Sequence, residues 1–219
     1  MEFPVAAAIQ PVMMFEDRVD AARQLARRLD RYKGAHPLVL AIPRGGVPMG
    51  RVIADALGGD LDVVLVRKLR SPFNPEYGIG AIDESGNFHL TVDAAYAGGT
   101  PDYIEREKAV QLAQIRERRE RWSKLRAPID PRGRVVIVVD DGLATGVTMG
   151  AALRFLRDRG TERLVCAVPV ASLAGVEAVE RYADEVVALA TPEPFRAVSL
   201  FYRNFSQVED DEVTELLAA

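Results

Sequence analysis

Five consecutive β-branched residues constrain the fold of this chain more than any other feature. They form the segment Val135–Val139, which runs directly into two adjacent acids, Asp140 and Asp141. A continuous apolar run of this length is typical of a strand that is buried on both faces of a parallel sheet. Small residues and then a helical pattern follow the acids, so the segment predicts a strand, a tight loop and a helix. Ligands of such sheets bind beyond the carboxyl ends of the strands, where this loop would lie.

The rest of the chain repeats the alternation of strand and helix. Helical patterns are predicted at residues 17–33, 47–57, 149–159 and 173–182, and apolar strand runs at residues 38–42, 62–66, 164–170 and 185–190. Strands that alternate with helices imply right-handed crossovers and a mostly parallel sheet. We therefore expect an α/β fold in which helices cover both faces of a parallel sheet.

Residues 69–100 depart from this alternation. They contain several glycines and prolines, and residues 77–82 and 88–92 could pair as a hairpin. An excursion of this length in a compact α/β chain suggests a mobile functional loop. A long charged helix is predicted after it, at residues 100–126.

The bulk composition indicates one main core. The chain has 219 residues, of which 48% are hydrophobic, and this is enough for one core with a small elaboration. We expect residues 1–190 to form the core and residues 191–219 to form a small C-terminal segment. A membrane span needs about 18 consecutive apolar residues, and none is predicted because no such run exists. The first eleven residues lack the pattern of a signal peptide.

Charge and cysteine content suggest the surroundings of the protein. The net charge of −4 disfavours a general affinity for nucleic acid. The single cysteine, Cys166, lies in an apolar run and cannot form an internal disulfide. A buried thiol in a reducing cytoplasm is therefore expected.

Two charged clusters have simple explanations. Glutamates alternate with the basic residues of the long helix, so a solvated face of ion pairs is favoured over an RNA site. These basic residues are Arg116, Arg118, Arg119, Arg121, Lys124 and Arg126. Acids open the final predicted helix, where they stabilise the helix dipole without a metal. These acids are Glu209, Asp210, Asp211 and Glu212.

The loop that begins with Asp140 and Asp141 combines two kinds of binding group. Adjacent acids at a strand end repel each other, so they are costly unless a partner uses them. Sugar hydroxyls and a divalent cation held through water are two such partners. The small residues that follow let backbone N–H groups approach an anion, and the helix N-terminus adds a positive dipole. The loop therefore suits a phosphorylated sugar, which carries a diol and a phosphate.

Other motifs that bind phosphate fit less well. Residues 45–52 have the glycine spacing of a Walker A loop but lack its Lys and its Ser or Thr, and Pro48 removes a donor. No strand precedes a three-glycine dinucleotide fingerprint, and no Gly-x-Ser-x-Gly elbow of a hydrolase is present. An NTPase, a nicotinamide enzyme and a hydrolase are thus disfavoured.

Residues 136–148 resemble the motif with which type I phosphoribosyltransferases bind 5-phosphoribosyl diphosphate (PRPP). These thirteen residues hold an apolar strand, two acids, a small-residue turn and a Thr-Gly-x-Thr ending. The resemblance implies that the two acids hold the ribose hydroxyls and, through water, Mg²⁺, while the turn holds the 5-phosphate. The implied PRPP-binding residues are Asp140, Asp141, Gly142, Leu143, Ala144, Thr145, Gly146, Val147 and Thr148, with Gly45 and Gly46 from a second loop.

The resemblance extends over about residues 17–190 and implies the type I phosphoribosyltransferase fold. The segment Arg44-Gly45-Gly46 resembles the pyrophosphate loop of the family, which often contains a strained or cis peptide. Arg67 and Lys68 resemble a second strand end that contacts pyrophosphate. Arg44, Arg67 and Lys68 are therefore the implied catalytic residues.

Two variable regions of the family also have counterparts. Residues 69–100 match the position of the flexible loop that closes over PRPP. Residues 191–219 resemble the hood, the C-terminal segment that recognises the base. Phe195, Phe201 and Tyr202 in this segment could stack on a base or pack the small lobe.

The implied reaction is Mg²⁺-dependent transfer of phosphoribosyl from PRPP to a nucleobase or similar nitrogen nucleophile, with release of pyrophosphate. Its oxocarbenium-like transition state calls for charge stabilisation of the leaving group more than for a strong base. Members that act on hypoxanthine or guanine usually carry an Asp where this chain has Ala144, so a 6-oxopurine acceptor is less expected. A PRPP- or nucleotide-sensing regulator without turnover stays as the alternative. A homo-oligomer is also expected, because the family commonly dimerises.

Overall fold

The computed structural model describes residues 14–75, 77–125 and 127–219 of the chain. The predictions made for the first eleven residues and for Arg126 lie outside the described residues. Across these three ranges, no helix combines the length and the apolar character that crossing a membrane requires.

A parallel sheet forms the centre of the fold, as the sequence predicted. In chain order, the described strands are β1 (Leu38–Ala41), β2 (Asp60–Val63), β3 (Val66–Arg70), β4 (Gly78–Asp83), β5 (Phe88–Leu90), β6 (Val135–Val139), β7 (Arg163–Val170) and β8 (Glu185–Ala190). Five of them form the parallel sheet in the order β2-β1-β6-β7-β8. The chain passes from β1 to β2 in one direction and from β6 to β7 in the other. The strand order therefore reverses between β1 and β6, which is where a binding crevice opens in such sheets.

Helices cover both faces of this sheet. In chain order, the described α-helices are α1 (Arg18–Arg28), α2 (Gly46–Leu57), α3 (Pro101–Ser123), α4 (Val147–Arg157), α5 (Leu173–Glu180) and α6 (Asp210–Ala218). Alternate residues of β1 enter different cores: Val39 and Ala41 join the core of α1 and α2, whereas Leu38 and Leu40 join that of α4. Because both faces are buried, the strand reads as a continuous apolar run.

Side-chain caps fix the N-termini of two helices. Oδ1 of Asp17 accepts a hydrogen bond from the N–H of Asp20 at 2.8 Å, and α1 begins immediately after Asp17. The helix stops earlier than predicted, and a 3₁₀ turn at Asp30–Tyr32 continues it. Oγ1 of Thr100 caps α3 in the same way. Side-chain oxygens thus satisfy N–H groups that lack partners within the helix.

The predicted strand at residues 62–66 is wrong as a single element. β2 ends at Val63, and the chain passes through buried Val64 and Leu65 before β3 begins in a separate antiparallel sheet of order β3-β4-β5. Because the residues that connect the two sheets are themselves buried, they are apolar like the strands on either side. The sequence pattern therefore does not show where the chain passes from one sheet to the other. Arg67 and Lys68, predicted to follow a strand end, therefore lie within β3.

The excursion at residues 69–100 contains the predicted hairpin. β4 and β5 pair in antiparallel fashion, and β3 joins them as the third strand. Oδ1 of Asp83 orders the turn by accepting from the N–H groups of Ser85 and Asn87 at 2.8 and 3.0 Å. Helices α3 and α4 pack against this sheet. Closure of the excursion over a ligand stays a prediction.

The C-terminal segment packs onto the start of the described chain. Phe15 and Tyr202 form a parallel bridge, and the N–H of Arg203 donates to the carbonyl oxygen of Phe15 at 2.9 Å. Phe201, Tyr202 and Val213 are buried in the same core as α1 and α2. The boundary between core and hood at residue 190 stays a prediction.

Close packing of α2 on the sheet generates a stability prediction. A Cβ on Gly50 would lie 2.7 Å from Cδ1 of Leu61 and 3.1 Å from Cβ of Ala41. Gly50→Ala is therefore expected to lower the free energy of unfolding by about 1–3 kcal/mol. Gly150 in α4 is the matched control, because a Cβ there would meet its nearest non-local atom, on Val179, at 3.9 Å. Gly150→Ala is expected to stabilise by about 0.5–1 kcal/mol. Urea denaturation measures the free energy of unfolding of both variants. A change of the same sign in both would contradict the close packing at Gly50.

Candidate active site

The crevice between the carboxyl ends of β1 and β6 holds the two loops that the sequence singled out. One loop (residues 42–45) follows β1 and leads into α2, and the other (residues 140–146) follows β6. The N–H of Ile42 donates to the carbonyl oxygen of Val139 at 2.9 Å, which extends the strand pairing to the base of both loops. The Pro43–Arg44 peptide bond is cis, a form that the resemblance led us to expect here.

The two loops touch at Gly45 and Asp141. A Cβ at position 45 would overlap Oδ2 of Asp141 and would lie 2.9 Å from its Cγ, so this contact requires glycine. A Cβ on Gly46 would lie 2.6 Å from the carbonyl oxygen of Val139. Glycine at both predicted positions therefore lets the loop after β1 approach the acid pair.

The acid pair carries charge that the folded protein compensates only in part. Burial raises the pKa of Asp140 well above its usual range, and the adjacent Asp141 charge raises it further, whereas Lys68 lowers it. Burial also raises the pKa of Asp141, against the opposing effect of the Arg18 guanidinium. Ionisation of Asp140 is therefore costly in the protein alone and favours a partner that supplies hydroxyl groups or positive charge.

Arg18, at the start of α1, holds Asp141 in place and was not predicted from the sequence. Its Nε and Nη2 donate to Oδ2 of Asp141 at 3.0 and 2.8 Å, and its Nη1 donates to the carbonyl oxygen of Ser206 at 2.6 Å. The guanidinium also lies over the Phe205 ring, 3.9 Å from its centroid. The Tyr202 hydroxyl donates to the carbonyl oxygen of Asp141 at 2.6 Å. No sequence pattern joins groups that are 123 residues apart.

The second half of the loop forms a cradle at the N-terminus of α4. Gly146 caps this helix with a φ of +74°, a conformation that favours glycine. The first N–H groups of α4 have no partners within the helix, and its dipole adds positive potential. The predicted loop lines a cavity of about 360 Å³ together with Ile42, Pro43, Gly45, Lys68, Met149 and Val198. An anion there would meet these N–H groups and the hydroxyls of Thr145 and Thr148.

The start of α5 holds this loop in position. The N–H of Leu143 donates to the carbonyl oxygen of Val170 at 2.9 Å, and the Ser172 hydroxyl donates to the carbonyl oxygen of Ala144. The same hydroxyl accepts from the N–H of Gly175 at 2.8 Å as the cap of α5. A Cβ on Gly175 would lie 2.8 Å from the carbonyl oxygens of Leu143 and Ala144. A serine before a helix indicates a cap and nothing more, so this support was not predicted.

A second cavity of about 240 Å³ adjoins the first, and basic side chains line it. Its described lining consists of Pro43, Val66, Arg67, Lys68, Arg70, Pro75 and Arg118. Pro43 and Lys68 line both cavities. Burial lowers the pKa of Arg67, and the charges of Arg118 and Arg70 lower it further. Like charges gathered around one cavity favour a ligand with several negative charges.

Helix α3 orients Arg67 within this cavity. Nε of Arg67 donates to Oε1 of Gln111 at 2.6 Å, and Nε2 of Gln111 donates to Oε1 of Glu107 at 2.8 Å. Gln111 is buried, although it lies on a helix whose sequence is mostly charged. Gln111 therefore holds a catalytic candidate from a helix to which the sequence assigned no role in the site.

Arg44 and the three aromatic candidates are not among the described residues that line these two cavities. Nη1 of Arg44 lies 3.2 Å from Oε2 of Glu209, so its guanidinium faces α6. Phe201 and Tyr202 are buried in the core, and the Phe195 ring packs on Phe201 with the centroids 5.4 Å apart. This burial favours packing over base stacking for Phe201 and Tyr202.

Comparison with known proteins supplies the relationship that this geometry suggests. The sequence profile of the phosphoribosyl transferase domain family matches residues 13–204. The chain belongs to this family. The resemblance to type I phosphoribosyltransferases and the predicted α/β parallel-sheet core are thereby confirmed.

Relatives of this phosphoribosyl transferase-family chain differ in length. A Mycobacterium tuberculosis protein, provisionally named a phosphoribosyl transferase, is 44% identical over 208 residues. The match covers 93% of this chain and 46% of that protein, so the chain spans about half the length of the curated relatives it matches. The crystal structure of TT1426 from Thermus thermophilus is also 44% identical and covers 94% of this chain and 98% of its own, with a TM-score of 0.79. A hypothetical protein from Neisseria gonorrhoeae, 17% identical with a TM-score of 0.50, shares the fold alone.

The raised pKa of Asp140 generates a stability prediction with a defined pH dependence. Because the folded protein holds this pKa above the unfolded value of about 4, ionisation of Asp140 destabilises the fold increasingly as pH rises from there. Asp140→Asn removes the ionisation and keeps an acceptor for the N–H of Asp141. We expect the Tm to rise by about 2–4 °C at pH 8, and the gain to vanish towards pH 4. Thermal unfolding at several pH values measures this, and a gain independent of pH would contradict the raised pKa.

The pair of Arg18 and Asp141 generates a second stability prediction. The two side chains are only 11% and 18% exposed, so Arg18→Met leaves a largely buried carboxylate without its cation. We expect the free energy of unfolding to fall by about 2–3 kcal/mol in urea denaturation. Adding Asp141→Asn should recover part of this loss. If the losses of the two single variants simply add in the double variant, the two groups are not coupled.

Proposed function

We propose that this protein transfers the 5-phosphoribosyl group of PRPP to a nucleobase or a similar nitrogen nucleophile, with release of pyrophosphate. One observation carries the proposal: a phosphate cradle that includes an acid pair adjoins a cationic cavity at Pro43 and Lys68. PRPP has a phosphate at one end, a diol on its ribose and a diphosphate at C1. The order of its groups matches the order of the cradle, the acids and the cations.

The 5-phosphate would bind in the cradle at the N-terminus of α4. Backbone N–H groups that have no partner within the helix, the helix dipole and the hydroxyls of Thr145 and Thr148 all favour an anion there. The ribose hydroxyls would then donate to the carboxylates of Asp140 and Asp141. Since Oδ2 of Asp141 already accepts two hydrogen bonds from Arg18, Asp140 is the freer acceptor of the two.

The two acids also suit Mg²⁺, on which we propose that the reaction depends. Mg²⁺ usually keeps several waters and is held by one or two carboxylates together with substrate phosphates. The described residues contain no cluster of three or more His, Cys, Asp or Glu that could hold a metal by itself. Asp140 and Asp141 therefore fit an ion that arrives with the diphosphate of PRPP. Mg²⁺ would neutralise part of the leaving group's charge.

In the proposed reaction, a bond forms between the acceptor nitrogen and C1 while the bond from C1 to the diphosphate oxygen breaks. The electron pair of the broken bond leaves with pyrophosphate, so negative charge grows on the leaving group. Arg67, Lys68 and Arg70 would stabilise that charge in a partly buried cavity, where such contacts are strongest. The proton lost by the acceptor nitrogen passes to solvent or to a group on the acceptor side.

The acceptor would enter on the side of the cradle that faces the C-terminal segment. Val198 of that segment lines the cradle cavity, and its side chain packs so closely on Gly142 that a Cβ at position 142 would lie 2.5 Å from it. Ala144 offers no carboxylate to a purine ring. We therefore propose an acceptor other than a 6-oxopurine. The homo-oligomer and the cytoplasmic location expected from the sequence stay predictions.

Calorimetric titration with PRPP, with and without Mg²⁺, is the first test. We expect micromolar affinity that Mg²⁺ increases, followed by pyrophosphate release when a suitable base is supplied from a panel. Binding without release for any base would support the regulator that senses PRPP without turnover. If PRPP does not bind under either condition, the proposal is wrong.

Thr148→Val tests the cradle directly, because it removes one hydroxyl donor to the 5-phosphate and keeps the side-chain shape. A hydrogen bond to a charged group contributes about 1.5–3 kcal/mol, so we expect at least tenfold weaker PRPP binding. Thr161→Val is the control, because Thr161 lies just before β7, at the amino-terminal ends of the strands, whereas the cradle lies at their carboxyl ends. Equal affinities for the Thr148 variant and the wild type would contradict the assignment of the cradle.

A further inference from the structure

The N-terminus of α6 places acids among three arginines, and one of these, Arg118, lines the cationic cavity. Oδ1 of Asp210 lies 3.7 Å from Nη2 of Arg118 and 3.9 Å from Nη1 of Arg44, and its Oδ2 lies 3.4 Å from Nη1 of Arg121. Glu209, the residue before it, is 3.2 Å from Arg44. One aspartate thus links the pyrophosphate loop after β1 to two arginines of α3.

Arg118 is the residue that connects this cluster to the cavity. It lines the cationic cavity together with Arg67, Lys68 and Arg70. It also lines a larger cavity of about 660 Å³ along α3, which Asp210 and Arg121 share. The sequence placed Arg118 on a solvated face of ion pairs, but its side chain is only 25% exposed. Arg118 therefore lies between the cations of the proposed leaving-group site and the acids of α6.

The contacts of Asp210 are poor for a group with so many cationic neighbours. A guanidinium and a carboxylate in good geometry lie 2.7–2.9 Å apart, whereas these distances run from 3.4 to 3.9 Å. Oδ1 of Asp210 is buried and has no hydrogen-bond partner among the described residues. A buried acceptor without a partner is costly, so this arrangement is not the best that these arginines can make.

We infer that Arg118 is a further pyrophosphate-binding residue, and that the Asp210 carboxylate lies against its guanidinium until the diphosphate of PRPP displaces that carboxylate. This inference rests on the proposed function and extends its leaving-group site to helix α3. Asp210 acts as an internal anion that limits repulsion among the arginines while the site is empty.

Chemistry favours the diphosphate over the carboxylate in this exchange. A diphosphate brings several charged oxygens, and planar guanidinium groups bind such oxygens in pairs. Asp210 brings one charge at distances too long for hydrogen bonds to Arg118 and Arg44. When pyrophosphate leaves, Asp210 returns to the arginines and helps to expel the product. A ligand without a diphosphate would leave the Asp210 carboxylate in place.

The test compares variants of the two residues with close neighbours as controls. Arg118→Gln is matched by Arg116→Gln, an exposed arginine of the same helix, and Asp210→Asn is matched by Asp211→Asn, whose side chain is 92% exposed. The probes are PRPP, pyrophosphate with Mg²⁺, and ribose 5-phosphate, which carries only the 5-phosphate end. Circular dichroism and thermal unfolding establish that each variant is folded.

We expect Arg118→Gln to weaken PRPP and pyrophosphate binding about tenfold and to change ribose 5-phosphate binding less than twofold. Asp210→Asn should strengthen pyrophosphate binding about threefold or more, because the internal competitor loses its charge. Both controls should match the wild type. If Arg118→Gln does not fold, Arg118→Lys is the second variant. It keeps the positive charge but not the planar set of N–H donors, so it should show a smaller loss of affinity for PRPP and pyrophosphate.

The outcomes separate this inference from the proposed function. If the wild type binds PRPP and the Arg118 variant binds it with the same affinity, the role of Arg118 is wrong and the proposed function stands. Weaker pyrophosphate binding in Asp210→Asn overturns the displacement, because Asp210 would then position the arginines and not compete for them. A wild type that binds neither PRPP nor pyrophosphate overturns both proposals.

Discussion

The close contact between Gly45 and Asp141 is the constraint on which the rest of the site depends. Because position 45 has no Cβ, the loop after β1 lies directly against a carboxylate of the loop after β6. Arg18 holds the same carboxylate and reaches the backbone of Ser206. Two loops, the start of α1 and the C-terminal segment are thereby fixed around one acid. A site held from several directions is preorganised, and it loses little freedom when a ligand binds.

The like charges gathered in the site lower the stability of the fold. Asp140 sits beside Asp141 in a buried position, and Arg67 sits near Arg70 and Arg118. Each cluster gathers like charges that a ligand with the opposite group would stabilise. Under the proposed function, the hydroxyls of a sugar diol would donate to the first cluster and a diphosphate would bind the second. Such separated clusters are typical of sites where stability is exchanged for binding.

The C-terminal segment mainly supports residues of the site and contributes little to the lining of its cavities. Its aromatic residues were expected either to stack on a base or to pack the lobe, and Phe201 and Tyr202 are buried. Tyr202 supports the backbone of Asp141, Phe205 stacks on Arg18, and Glu209 and Asp210 meet the arginines near the cationic cavity. Val198 is the residue of this segment that reaches the described cradle cavity itself. The segment therefore sets the electrostatics of the site as much as its shape.

The sequence by itself determined the parallel sheet and the loop after β6, because buried strands read as apolar runs and a phosphate cradle needs small residues in contiguous positions. It also singled out Gly45, Gly46, Arg67 and Lys68, whose roles in binding and catalysis stay predictions. It did not reveal that residues 62–66 cross between two sheets, since a buried crossing has the same composition as a strand. Arg18, Gln111, Ser172 and Arg118 reach the site from distant elements, and only the tertiary structure brings them there. The physical reason is that hydrogen bonds and ion pairs between distant segments depend on direction and distance, whereas sequence patterns record only local periodicity and composition.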